Sequence, residues 1–155
     1  MDYWLVKSEP SDYSIDDLAA EPDQTTHWDG VRNYQARNIL RDQMQVGDRV
    51  LFYHSNIKPP GIVGIAEVVR SGYPDYTAFD PHSKHYDPNS EPDNPRWFMV
   101  DIRLQCQFKR LITLDELKAH PGLSELPLVR RGNRLSVLPV TAHQWALIMQ
   151  LAEDN

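Results

Sequence analysis

Residues 48–70 read DRVLFYHSNIKPPGIVGIAEVVR, and their pattern decides the fold class. Two short apolar runs, 48–55 and 61–70, flank a Pro-Pro-Gly break and read as a pair of strands. The glycines, valines and isoleucines of the second run suit a buried strand that another group approaches closely. Working outward, YWLVKS (3–8) reads as a first strand that stops at Glu9-Pro10, with Tyr3, Leu5 and Lys7 on one face and Trp4, Val6 and Ser8 on the other. RWFMVDIRLQCQFKRLI (96–112) alternates Trp97, Met99, Asp101 and Arg103 against Phe98, Val100, Ile102 and Leu104, and is the longest strand expected. RLSVLPV (134–140) gives the last. Helices are expected over 13–21, 31–44, 113–119 and 141–152. The first, third and fourth open on the capping-box patterns Ser14-x-x-Asp17, Thr113-x-x-Glu116 and Thr141-x-x-Gln144. Ala36, Ile39, Leu40 and Met44 form the inner stripe of the second. Residues 71–95 form a long, proline-rich polar loop, of a length that usually serves a function or a partner. No βαβαβ rhythm and no Gly-rich phosphate turn occur, which excludes a doubly wound sheet. The expectation is a single α+β domain over residues 1–155, built on a small, curved, mostly antiparallel β-barrel with peripheral helices.

The formal charge of −6 and a pI near 5.4 exclude a protein that coats nucleic acid through bulk electrostatics. A single cysteine, Cys106, excludes an internal disulfide and a Cys-rich metal site, and its apolar-alternating surroundings predict a buried, inert thiol. The N-terminus has no basic region followed by a long apolar stretch, and no run approaches about 18 apolar residues. A soluble, intracellular protein with no membrane partner is therefore expected. His54 lies beside Ser55, but no Gly-x-Ser-x-Gly elbow is present. His82 and His85, near Asp80 and Asp87, sit on the Pro-rich loop without the helical zinc signature. Asp16 and Asp17 complement a helix start. Neither a catalytic constellation nor a metal or cofactor site emerges.

A different set does emerge around THWDGVRNYQARN (26–38). Trp28, Tyr34, Tyr53, Tyr86 and Trp97 occur beside Ser8, Asn33, His54, Ser55 and Asn56, polar groups of the kind that read base edges. A flipped heterocycle needs an aromatic face, worth about 1–3 kcal/mol per base, and fixed donors and acceptors at its edge. From the residues alone each aromatic is open to two readings, core or stacking wall. Trp28 stands apart because it precedes Asp29-Gly30, outside the two neighbouring helices, whereas Trp4 and Trp145 read as core. In a helix from Val31, Asn33 and Arg37 are i,i+4 neighbours and Tyr34 points away from the apolar stripe. A basic rim of Lys7, Arg32, Arg37, Lys84, Arg96, Arg130, Arg131 and Arg134 is separate in sequence from acidic clusters at 12–23, 87–93 and 153–154.

YWLVKSEP, W-x-GVRNYQARN, FYHSN followed by GIVGIAEV, then FDP-SKHYDP, PRWFMVD and LSVLPVT run in order over nearly the whole chain. Together they resemble the EVE domain family. The resemblance implies a PUA-like fold related to YTH and ASCH domains, and recognition of a modified base, in particular modified cytosine in DNA. YTH relatives carry a Lys-Ser pair closing the first strand and a cage tryptophan after the next helix, positions matched here by Lys7-Ser8 and Trp28. Where they carry a second cage tryptophan this chain offers Tyr73, Tyr76 or Phe79, which points away from their N6-methyladenine substrate. The resulting expectation is a non-catalytic reader of a 5-substituted cytosine flipped from DNA, or of modified RNA, without a cofactor. Ser8, Trp28, Asn33, Tyr34, Tyr53, His54 and Ser55 would meet the base. Lys7, Arg32, Arg37, Lys84, Arg96, Arg130 and Arg131 would meet phosphates. The rivals are a small nucleic-acid- or nucleoside-acting enzyme using His54 and Ser55, an RNA-binding PUA-like module, and a small-ligand protein. The expected location is the cytoplasm of a bacterium or the nucleus of a eukaryote.

Overall fold

A computed structural model describes residues 1–153. Six strands form one mixed sheet: β1 (Tyr3–Ser8), β2 (Thr25–His27), β3 (Arg49–His54), β4 (Gly61–Pro74), β5 (Phe98–Thr113) and β6 (Val137–Val140). Their order is β2-β5-β4-β3-β1-β6. β1 and β3 run parallel, from Tyr3 opposite Arg49 to Ser8 opposite His54, and every other recorded pair is antiparallel. The α+β architecture is as expected. Closure into a barrel is not: the end strands β2 and β6, of three and four residues, are edges with no pairing to each other among the described residues.

Period-two alternation sends neighbouring strand residues into separate cores. Trp4, Val6, Val50, Phe52, Ala66 and Val68 join Ile15, Leu18, Ala36, Ile39, Leu40 and Met44 on one face. Leu5, Leu51, Ile62 and Leu138 join Leu117, Leu123, Leu126 and Ile148 on the other. The first face is covered by α1 (Ile15–Ala19) and α2 (Tyr34–Asn38), the second by α3 (Leu114–Ala119) and α4 (Ala142–Glu153). None of the described helices is long and apolar enough to cross a membrane. Trp4 is buried, as expected, with its indole N–H donating to Asp48 at 2.9 Å, and Trp145 stacks on Tyr3 at 4.6 Å.

Local chemistry explains three departures. The second helix begins at Tyr34 rather than Val31, because the Asn33 side chain caps it by accepting from the Ala36 N–H at 3.0 Å. It then widens over Ile39–Gln43, where the Met44 N–H reaches back five residues to the Ile39 carbonyl. Cys106 is exposed, not buried. β5 carries an extra residue between Ala66↔Leu104 and Ile65↔Cys106, and this bulge breaks the alternation that would have turned the thiol inward.

Candidate nucleic-acid site

The loop after β2 is where the site is made. The Trp28 N–H donates to the Val100 carbonyl at 2.7 Å, which carries the chain off the sheet edge with the indole turned inward. Gly30 then adopts φ 79°, with the His85 imidazole so close that a Cβ would lie 2.5 Å from its Nε2. Asp75, fully buried, accepts from the Gly30 N–H at 2.8 Å, from Arg32 Nη1 at 3.0 Å and from the backbone and hydroxyl of Thr77. These donors hold its carboxyl below the ordinary carboxylate value although burial alone would raise it. Arg32 completes the knot: Nε and Nη2 both donate to the His85 carbonyl, at 3.2 and 2.6 Å. The 75–97 loop is thereby clamped against the 28–32 loop.

Beside this clamp lies a cleft of about 500 Å³, lined by Trp28, Ser8, Lys7, Tyr13, Arg32 and Lys84, together with His27, His85, Ser136 and four carboxylates. Its volume is in the range of small-molecule sites. Trp28 is 8% exposed, meeting Phe52 and Tyr13 edge-on at 5.4 and 6.2 Å, and it also lines the cleft. Trp28 is thus a core residue that also borders the cleft. The Ser8 hydroxyl donates to the Tyr13 carbonyl at 2.6 Å, which uses its proton and leaves its lone pairs as acceptors. Burial raises the pKa of the Tyr13 phenol and lowers that of the Lys7 ammonium. Lys84 lies 3.8 Å from Asp12, both exposed.

The other candidate residues lie off the cleft lining. Asn33 spends its side-chain oxygen on the cap of α2, so the expected i,i+4 partnership with Arg37 becomes a backbone bond, Arg37 N–H to the Asn33 carbonyl. Tyr34, half exposed, stacks on Trp97 at 4.9 Å. Arg37 packs over Tyr34 and donates to the Arg96 carbonyl, and Arg32 packs over Trp97. An arginine–tyrosine–tryptophan–arginine column therefore stands beside the cleft, anchored by the Trp97 indole N–H on Asp87 at 2.6 Å. Tyr53 is buried in the core of the opposite face. His54 Nε2 accepts from the Ile15 N–H at 3.1 Å, which places the neutral ring's proton on Nδ1, and the Ser55 N–H donates to the Ser8 carbonyl. Tyr86 and Arg96 are exposed on the long loop, Arg130 pairs with Glu125 at 2.6 Å, and Arg131 is exposed beyond it. Asp154 lies outside the described residues.

Arg32 lines the cleft but is engaged within the chain. Its five N–H donors meet Val31, Asp75, Thr77 and, twice, His85, so the guanidinium is a structural clamp with no free donor for a phosphate. Sequence reasoning missed Asp75, Tyr13 and His85. The sequence could show Asp75 only as a cap bonded to Thr77 two residues on, since its clamp partners Gly30 and Arg32 lie more than forty residues away. Among the described residues no three His, Cys, Asp or Glu side chains converge on a metal-sized site.

A family model for the EVE domain matches residues 2–151. The chain is 48% identical to thymocyte nuclear protein 1 of Rattus norvegicus over 97% of its own length and 74% of that protein's. It resembles a crystal structure of a Pseudomonas putida protein at 51% identity and a TM-score of 0.92, covering 97% and 99% of the two chains. It also resembles the crystal structure of human THYN1 protein in complex with 5-methylcytosine containing DNA, at 44% identity and a TM-score of 0.94, over 100% of this chain and 99% of that one. A match over nearly the full length, in sequence and in backbone, leaves one conclusion: the chain belongs to the EVE domain family.

Proposed function

We propose that this protein is a non-catalytic reader of modified cytosine in DNA, which receives the base, flipped from its stack, in the Trp28 cleft. The observation that carries the reading is the convergence of an indole, a hydroxyl with free lone pairs and two lysines on one cleft of about 500 Å³. A planar ring extruded from DNA gives up its neighbours, and an aromatic wall replaces them at about 1–3 kcal/mol. The Ser8 lone pairs address donors on the base edge. Lys7 and Lys84 meet the flanking phosphates. The complex of human THYN1 with 5-methylcytosine DNA supports the class of ligand.

Anisotropy titration of a fluorescent oligonucleotide carrying one 5-methylcytosine or one cytosine tests the reading. Wild-type protein should prefer the methylated base. Trp28→Ala should weaken binding roughly 5- to 150-fold, the range set by one stacked base. Because Trp28 is also core, the Trp28→Phe variant and a thermal melt separate lost stacking from lost fold. Equal affinities for both bases in wild-type protein refute the reading.

A further inference from the structure

Thymine sets the discrimination problem for the reading just proposed, on which this inference rests. Thymine and 5-methylcytosine share the ring, the O2 carbonyl and the methyl group at C5. They differ at position 4, where cytosine carries an amino donor and thymine a carbonyl acceptor, and at N3, a bare acceptor in cytosine and an N–H donor in thymine. An indole wall and room for a methyl group accept both. Thymine, which is abundant in any DNA, is rejected by an acceptor held at position 4 or by a donor held at N3.

Four carboxylates line the cleft: Glu9, Asp12, Glu21 and Asp29. Asp12 faces Lys84. Glu9 is exposed on the turn after β1, and Glu21 follows α1 at a distance along the chain from the indole. Asp29 differs from the other three in its place beside the indole. It follows Trp28 directly, so the two Cα atoms are about 3.8 Å apart. Like Glu21 it is half-buried, and its carboxylate has no hydrogen bond or ion pair among the described residues. Its backbone is also pinned on both sides, by the Trp28 N–H on the Val100 carbonyl and the Gly30 N–H on Asp75. The result is an acceptor with free lone pairs on a fixed loop beside the stacking wall.

We propose that Asp29 is the specificity-determining residue of the cleft, accepting a hydrogen bond from the 4-amino group of the flipped cytosine and repelling the O4 carbonyl of thymine. A carboxylate set against a carbonyl oxygen out of water has no proton to share, so the penalty for the wrong base exceeds the gain from the right one.

The test uses purine oligonucleotides with one central 5-methylcytosine, cytosine or thymine, titrated against wild-type protein, Asp29→Asn and Asp115→Asn, each checked by thermal melting. Wild-type protein should prefer 5-methylcytosine over thymine by about tenfold or more. An amide offers either a carbonyl or an NH₂, so Asp29→Asn should gain thymine binding and bring that ratio to within about threefold, while still preferring 5-methylcytosine over cytosine. Asp115→Asn, an exposed carboxylate on α3 outside the cleft lining, should keep the wild-type ratio. An Asp29→Asn variant with the wild-type thymine ratio and an intact methyl preference overturns the role of Asp29 alone. So does one that loses all three ligands equally. Wild-type protein that binds all three alike overturns the cleft reading itself, and the role of Asp29 with it.

Discussion

His54 accepts a hydrogen bond at the position where a catalytic histidine would handle a substrate proton, and this makes it a pH-sensitive support for α1. Burial holds its imidazole below the ordinary 6.5, with the Asp16 charge opposing. The folded chain therefore binds fewer protons at this site than the unfolded chain once the pH falls toward and below 6.5. Stability should rise with pH across that window and be lost on acidification until the folded value is passed. Urea unfolding at pH 7.5, 6 and 5 checks this. In the His54→Gln variant, whose amide can accept from Ile15 without titrating, the loss on acidification should be smaller than in wild-type protein. At this scale the sequence set Trp28 apart from the core, whereas the structure buries it in the core of the first face and also gives it a place in the cleft lining. The sequence was uninformative about His54, whose partner lies 39 residues away.

The clamp between the 28–32 and 75–97 loops is what gives the cleft its shape. Gly30→Ala should cost about 1–3 kcal/mol in chemical denaturation, from the left-handed backbone alone, with the His85 ring adding to it. Asp75→Ala should cost about 3 kcal/mol, near the lower end for a broken buried pair because Arg32 keeps 23% of its side-chain surface. Both variants should weaken base binding beyond their effect on stability. The strands and helices were largely legible in the sequence, since apolar alternation and capping boxes are local signals: the boxes at Ser14 and Thr113 form as read. The α2 start was misread because Asn33 fits both a first helical turn and a cap. The loop, proline-rich and without periodicity, showed only its length. Its internal order comes from a chain of local turns, such as Ser83 to Asp80 and Tyr86 to Ser83, and its placement from long-range bonds such as Arg32 to His85.

Taken whole, an acidic molecule offers nucleic acid a cleft with three cations and four carboxylates, and one of those cations is spent internally. Affinity should then depend on salt only weakly. Two phosphate contacts, from Lys7 and Lys84, give a slope of log K against log salt of about −1 to −2. A slope steeper than about −4 would mean that the arginines at 96, 130 and 131 join the contact. Convergence of this kind was out of reach from the sequence, because it is the clamp that brings residue 84 to residue 7. The central claim is that a modified cytosine lies flat against Trp28, and NMR of an oligonucleotide with a ¹³C-labelled 5-methyl group tests it most directly. On saturation with wild-type protein the methyl resonance should move upfield under the indole ring current, and the shift should vanish in the Trp28→Ala variant if that variant remains folded. A methyl resonance that stays at its free position in the saturated wild-type complex would contradict the account.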